Sequence, residues 1–351
     1  MKSINLVLLL WIVPGTIAYS QAHQFDAQQY KNKKVAERLY NKAIDAIHAE
    51  DYYGALFFLD SVTSIQPDLS AAYIERGKIY FLKERKTDAL KEFAAVISND
   101  PLNGEAWFYQ SFVKFTQDTS SVTSSDFDMA LRNNYTEPQA YYYRGLLRLM
   151  EKAYNDAIAD FTQAINKKSD YAKAFHDRGS AKMKLGDFQG AIYDYRLSVT
   201  YDTKLTQAYV NMASAKKELG DYQGAEQDLT VAINIDSSDY VSYNNRGGAR
   251  YILGNLEGAE SDYDKAYSIN PNSCEVTCNK GNVLVKKGDF KTALEWYNKA
   301  LELNPDYSTA YLNRGLSHES IGMLNEACAD WQKAVDLGST EALEFLKECN
   351  R

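Results

Sequence analysis

Small and large apolar residues recur along the chain with a fixed period of 34 residues. The residues that mark the period all have small side chains: Ala43, Gly77, Ser111, Gly145, Gly179, Ala213, Gly247, Gly281 and Gly315. A large residue lies four positions earlier and is aromatic in seven of the nine copies. Each copy is numbered from its first residue, which is Ala36 in the first copy. Positions 20, 24 and 27 then carry a second group of small, large and small residues with the same spacing of three to four. Each period therefore predicts two amphipathic helices.

A turn separates the two helices of each copy. Five copies carry glycine at the same turn position: Gly186, Gly220, Gly254, Gly288 and Gly322. Glycine ends a helix readily in the left-handed conformation, and the Asp or Asn that follows four of these glycines can cap the next helix. One helix pair cannot bury its apolar face alone, so the pattern predicts a stacked array. Its nine units span 36–69, 70–103, 104–137, 138–171, 172–205, 206–239, 240–273, 274–307 and 308–341.

This pattern resembles the tetratricopeptide repeat family: a large residue, then Gly or Ala, then Ala, an aromatic residue, Ala and a closing Pro. The prolines fall at unit boundaries: Pro67, Pro101, Pro271 and Pro305. The resemblance implies an all-α fold, a right-handed superhelical solenoid whose concave groove is lined by the first helix of each repeat. After Gly338, residues 339–351 are expected to form a helix that caps the last repeat.

The third repeat departs from the pattern at residues 117–125. Its turn has no glycine, and Ser and Thr residues replace helix-forming ones. We expect its second helix to be short and to begin near Ser125 or Asp126. The segment is either a plain surface loop or a hinge that takes part in recognition.

The N-terminus has the pattern of a secretory signal peptide over residues 1–20. Lys2 is followed by the apolar run Leu6–Val13, Pro14 and Gly15 are expected to break any helix, and small residues precede a cut after Ser20. Residues 21–35 form a polar lead-in. These features predict an exported protein, periplasmic or secreted, with no membrane span after cleavage.

Composition argues against several other classes. The formal charge is −8 and the pI about 5.2, so the chain lacks the basic excess that binds nucleic acid. No phosphate-binding loop, metalloprotease motif or nucleophile elbow is present, so we predict no enzyme, no catalytic residues and no cofactor. The four histidines are isolated, and a metal site is not expected at Cys274 and Cys278. An Arg and an acidic residue 16 positions later recur in five repeats, which indicates a structural ion pair. A row of arginines that binds an anion is the alternative.

Two other cysteines are candidates for a disulfide. Cys328 lies in the last repeat, and Cys349 lies in the helix expected to pack on it. Export would place both in an oxidising compartment, where a bridge persists. Two separate buried thiols are the alternative.

The groove face of the first helices supplies the candidate binding site. Its aromatic part includes Phe108, Phe112, Phe115 and Tyr142, and an asparagine row continues it at Asn211, Asn245, Asn279 and Asn313. Exposed apolar patches often mark binding sites, and amides can hold an extended backbone. Two alternatives stay open: the aromatic face is buried by curvature or by the N-terminal segment, and the asparagines bond only between helices.

Together these features predict a non-catalytic, exported interaction scaffold that binds a protein or extended peptide in its groove. An accessory protein that holds a glycan or small ligand is one alternative, because exposed aromatic rings can stack on sugars. A structural subunit of a cell-envelope assembly is another. The sequence gives no indication of the oligomeric state.

Overall fold

The structure is a computed structural model that describes residues 14–350. The predicted signal peptide therefore lies outside the described residues as far as position 13. In the described range the chain forms nineteen α-helices and no strand. The chain divides after Glu151 into two compact units, which are described separately.

The first unit contains seven α-helices and one short 3₁₀ turn, Thr119–Ser121. The helices are α1 (Pro14–His48), α2 (Tyr52–Ile65), α3 (Ser70–Leu82), α4 (Lys86–Asn99), α5 (Gly104–Gln117), α6 (Ser124–Arg132) and α7 (Pro138–Met150). Each of α1, α3 and α5 packs against the helix that follows it, as the 34-residue period predicts.

The second unit continues the same alternation and ends in a second 3₁₀ turn, Lys347–Asn350. Its helices are α8 (Tyr154–Lys167), α9 (Ala172–Lys184), α10 (Phe188–Tyr201), α11 (Thr206–Glu218), α12 (Tyr222–Ile235), α13 (Tyr240–Ile252), α14 (Leu256–Ile269), α15 (Cys274–Lys286), α16 (Phe290–Leu303), α17 (Ser308–Ser320), α18 (Leu324–Asp336) and α19 (Ala342–Leu346). Five helix pairs, from α9/α10 to α17/α18, pack in succession.

The turns follow the sequence prediction closely in the second unit. Gly186 and Gly220 have φ of 78°, the left-handed conformation that glycine adopts without strain. Asp187 and Asp221 then accept hydrogen bonds from backbone N–H groups in the first turn of the next helix. In the first unit, Glu84 occupies the same turn position with φ of 58°, where a side chain is unfavourable.

Glycine also lets the two helices of a pair approach each other. A Cβ atom added to Gly281 would lie 2.6 Å from Cε1 of Tyr297, and one added to Gly179 would lie 2.9 Å from Cε1 of Tyr195. Both tyrosines are almost completely buried. The period of small and large residues therefore places an aromatic ring directly on a glycine of the partner helix.

The third repeat is irregular, as expected. Its second helix begins at Ser124, within two residues of the prediction, and is only nine residues long. Thr123 and Asp126 form a capping box, and the Glu151 carboxylate accepts hydrogen bonds from the Ser124 backbone N–H and hydroxyl at 2.8 Å each. These bonds fix the start of α6.

Both ends of the described chain differ from expectation. Residues 14–35 are helical, because α1 begins at Pro14 and runs without interruption to His48, so the polar lead-in over 21–35 is part of the first helix. The apolar run before Pro14 lies outside the described residues, and the expected helix break after it stays a prediction. Proline is well tolerated at a first helical position, where no intrahelical N–H bond is lost. At the other end, the predicted cap over 339–351 is shorter, because it consists of α19 and a 3₁₀ turn. Phe345 of α19 stacks on Trp331 with ring centroids 5.3 Å apart.

Candidate functional site

An aromatic cleft in the first unit is the candidate functional site. Its volume is about 520 Å³, within the range of ligand pockets. We call it the aromatic cleft, and its lining residues come from α5, the α6–α7 loop and the start of α7: Glu105, Phe108, Tyr109, Phe112, Tyr135, Glu137, Gln139 and Tyr143. The irregular third repeat therefore supplies much of its wall.

The rings of the cleft support one another. Phe108 forms the floor and stacks on Tyr135, with centroids 4.9 Å apart, and on Phe112 at 5.9 Å. Tyr143 of α7 lies 4.9 Å from Phe112. Rings held in this way lose little further freedom on binding, so the wall is pre-organised for a planar or apolar group.

Charge at the cleft is arranged around one lysine. The Lys78 ammonium donates to Glu105 at 2.7 Å and to Glu75 at 2.9 Å, and it lies 4.7 Å from the centroid of Tyr109. Burial raises the pKa of the Tyr135 phenol well above its ordinary value, and the charge of Glu105 contributes in the same direction. The Tyr135 phenol is thus neutral.

The structure corrects the predicted exposure of the aromatic row. Phe108 is 4% exposed and Tyr142 is 8% exposed, so both belong to the core. Phe108 is covered by Phe127, Tyr135 and Tyr143, whose ring centroids lie 5.9, 4.9 and 6.4 Å from its own. Phe112 and Phe115 are half-buried, and both lie beside Tyr143. Of the alternatives that the sequence left open, burial therefore applies to Phe108 and Tyr142, while Phe112 and Phe115 keep part of their surface exposed.

Sequence reasoning missed Tyr109, Tyr135, Tyr143 and the two cleft glutamates, Glu105 and Glu137. Tyr109 and Tyr143 occupy the same repeat position that carries asparagine in later repeats. The difference between tyrosine in these two repeats and asparagine in the later ones was a signal that this surface changes along the chain. Tyr135 lies in a loop outside the helical periodicity, and nothing in the repeat pattern indicates it.

The asparagine row forms hydrogen bonds between successive repeats of the second unit. The amide of Asn279 donates to Asn244 at 2.9 Å, and that of Asn313 donates to Asn282 at 2.9 Å. In the same row, Asn211 bonds with His176 at 3.0 Å. Local bonding between helices, one of the two alternatives, is thus present at these sites. Asn245 is half-buried at the corresponding position.

The recurring Arg and acid pairs are structural. Arg178 forms two hydrogen bonds to Asp194, at 2.9 and 2.7 Å, and Arg246 binds Asp262 in the same two-pronged way. Both aspartates are buried. A buried carboxylate needs such a partner, so these arginines tie the two helices of a repeat together.

Cys328 and Cys349 are joined in a disulfide with a Cα–Cα distance of 5.8 Å. Cys274 and Cys278 are free thiols, and Cys278 is buried. Within residues 14–350, no group of three or more His, Cys, Asp or Glu side chains is placed to hold a metal ion. No described helix has the length and apolar character needed to cross a membrane.

Family models match three stretches of the second unit. Tetratricopeptide repeat models match residues 206–239 and 240–273, and a further repeat model of this family matches residues 281–322. The first two ranges coincide with two of the predicted repeats and contain the helix pairs α11/α12 and α13/α14. The chain is a tetratricopeptide repeat protein. Among proteins of curated function, none matches the sequence.

Solved structures of low sequence identity share the fold of this tetratricopeptide repeat protein. The C-terminal part of a repeat protein from Cytophaga hutchinsonii matches with 19% identity and a TM-score of 0.54, covering 68% of this chain and 98% of that one. The Cut9–Hcn1 structure matches with 14% identity and a TM-score of 0.55, covering 86% and 59%. Pseudomonas aeruginosa PilF matches with 19% identity and a TM-score of 0.52, covering 60% and 97%.

Proposed function

We propose that this tetratricopeptide repeat protein is a non-catalytic, exported scaffold that binds a protein or extended peptide, with the aromatic cleft as its principal site. The observation that carries the proposal is the cleft itself, a pre-organised concavity walled by half-buried rings in a fold whose repeats serve as protein-interaction modules. The Cut9–Hcn1 structure is of a complex, which supports an interaction role for the fold.

Export rests on the N-terminal pattern and on the disulfide. Lys2, the apolar run Leu6–Val13 and the small residues before Gln21 fit a cleaved signal, and the Cys328–Cys349 bridge suits an oxidising compartment. N-terminal sequencing of the protein from its native source tests this directly. A mature chain that begins at Gln21 supports export, and an intact N-terminus in a reducing compartment contradicts it.

The asparagine row has a secondary place in the proposal. Because Asn279 and Asn313 already bond to neighbouring repeats, their remaining acceptor capacity would add only weak main-chain contacts, about 0.5–1.5 kcal/mol for each neutral hydrogen bond. Their principal effect is to hold successive helices in register.

The test compares two Phe→Ser variants. Phe112 lines the cleft, whereas Phe57 is 68% exposed on α2 and does not line it. Partners are cross-linked to the wild-type protein in extract and identified by mass spectrometry. We expect Phe112→Ser to lose the specific partner and Phe57→Ser to retain it.

Circular dichroism on the same samples separates binding from folding. Loss of the partner by both variants, or retention by a folded Phe112→Ser, contradicts a binding site at the cleft. If Phe112→Ser loses helicity, the milder Phe112→Leu replaces it, because it keeps apolar volume and removes the ring.

A glycan ligand is the second candidate, because the aromatic residues Phe112 and Tyr143 line the cleft together with the polar residues Gln139 and Glu137. A protein partner is favoured by the repeat fold.

A further inference from the structure

The aromatic cleft combines ring faces with carboxylates, a composition that suits a cation. Glu105 and Glu137 belong to its lining, and Glu75 lies one ion pair away, on the other side of Lys78. Three carboxylates therefore accompany a single ammonium group. The negative face of an aromatic ring attracts cations, and nearby carboxylates add to this attraction.

Lys78 shows that this wall already holds a cation. Its ammonium lies over the Tyr109 ring and between the Glu75 and Glu105 carboxylates. Partial burial lowers the pKa of Lys78, but the hydrogen bonds that its ammonium donates to the Glu105 and Glu75 carboxylates outweigh this and raise the pKa above its ordinary value, so the ammonium stays charged. The site thus stabilises a positive charge at its edge, beside the Tyr109 ring.

Glu137 is the carboxylate best placed for an incoming group. It is exposed at the N-cap of α7, and it lines the cleft together with Tyr143 of that helix. A cation in the cleft would have a carboxylate and aromatic rings among the lining residues, as Lys78 has Glu105 and Tyr109 as neighbours.

We infer that the cleft binds an arginine side chain of a partner peptide. The inference rests on the proposed function and names the chemistry of its ligand. Arginine is favoured over lysine because its planar guanidinium stacks on aromatic rings while it donates two parallel hydrogen bonds to a carboxylate. The acidic net charge of −8 favours approach of a basic segment.

Ligand-detected NMR with small probes tests the inference on the purified protein. The probes are the N-acetyl methylamides of arginine, citrulline and phenylalanine, together with methyl glucoside. Citrulline has nearly the shape of arginine without its charge. We expect the arginine probe to bind at least several-fold more tightly than the citrulline probe, and 0.5 M salt to reduce the difference.

Two Glu→Gln variants locate the effect. Glu137→Gln removes a carboxylate of the cleft and is expected to weaken arginine binding about two- to fivefold, without changing phenylalanine binding. Glu50→Gln removes an exposed carboxylate between α1 and α2, outside the cleft lining, and is expected to change neither. Equal losses in the two variants would show that only the net charge matters and would overturn the inference.

The outcomes distinguish this inference from the proposal beneath it. Equal binding of arginine and citrulline, or tighter binding of phenylalanine or glucoside, overturns the arginine inference. If Phe112→Ser still abolishes binding of whichever probe binds the wild-type protein, the cleft remains the binding site. If a folded Phe112→Ser variant keeps both its probe binding and its cross-linked partner, the proposed function fails as well.

Discussion

Two adjacent glycines in α13, Gly247 and Gly248, test how the repeat period determines packing. A Cβ atom on Gly247 would lie 2.8 Å from Cε1 of Tyr263, a ring that is 3% exposed. A Cβ atom on Gly248 would meet nothing closer than the Tyr263 hydroxyl, at 3.8 Å. Replacement by alanine therefore has the same backbone effect at both positions and a different steric effect.

The expected magnitudes follow from these two contributions. Alanine is favoured over glycine in a helix interior by about 1 kcal/mol, so Gly248→Ala should stabilise the protein by about that amount. At Gly247 the same gain is opposed by overpacking against a buried ring, which costs about 1–3 kcal/mol. Gly247→Ala should therefore range from neutral to about 2 kcal/mol destabilising.

Urea unfolding followed by circular dichroism measures the difference, provided that the slope of the transition is unchanged between variants. A double variant provides the internal control, because Ala213 of the preceding repeat faces Leu229 rather than a tyrosine. In a Tyr263→Leu background, Gly247→Ala should become stabilising. If Gly247→Ala stabilises the wild-type protein as much as Gly248→Ala does, contact with the Tyr263 ring is not the reason for a small residue at position 247.

Three further predictions concern the thiols, a strained turn and the disulfide. Burial raises the pKa of Cys278 to about 12, so iodoacetamide at pH 8 should label Cys274 at least tenfold faster in the native protein; equal labelling by mass spectrometry would contradict this. Glu84→Gly should raise the urea midpoint, since it relieves about 1 kcal/mol of left-handed strain; a lower midpoint would mean that the side chain contributes more than the strain costs. Reduction of Cys328–Cys349, whose sequence separation is 21, should cost about 3 kcal/mol in the region it closes; identical unfolding curves with and without reductant would show no such contribution.

The helix pairs could be predicted from sequence because their determinants are local. The 34-residue period, the left-handed glycine at Gly220 and the Asp221 cap all act within a few residues of the turn that they define. The short α6 was likewise predictable, because its Ser and Thr residues compete for the same backbone bonds.

The cleft could not be predicted in the same way. Whether Phe108 is open or buried depends on Tyr135, 27 residues later, and on Tyr143 of the next repeat. Repeat periodicity shows which residues share a helix face, but it does not show how closely the next helix covers that face. The extension of α1 was missed for a different reason: a polar sequence with no apolar period gives no signal that separates a helix from an unstructured lead-in.

The Cys328–Cys349 bridge affects where the second unit begins to unfold. A terminal helix pair has a neighbour on one side only, so in a repeat array it is the first to fray. Here the disulfide joins the 3₁₀ turn Lys347–Asn350 covalently to α18, so the two cannot separate when this end unfolds locally. Local unfolding of the second unit should therefore begin at turns outside the loop that the disulfide closes.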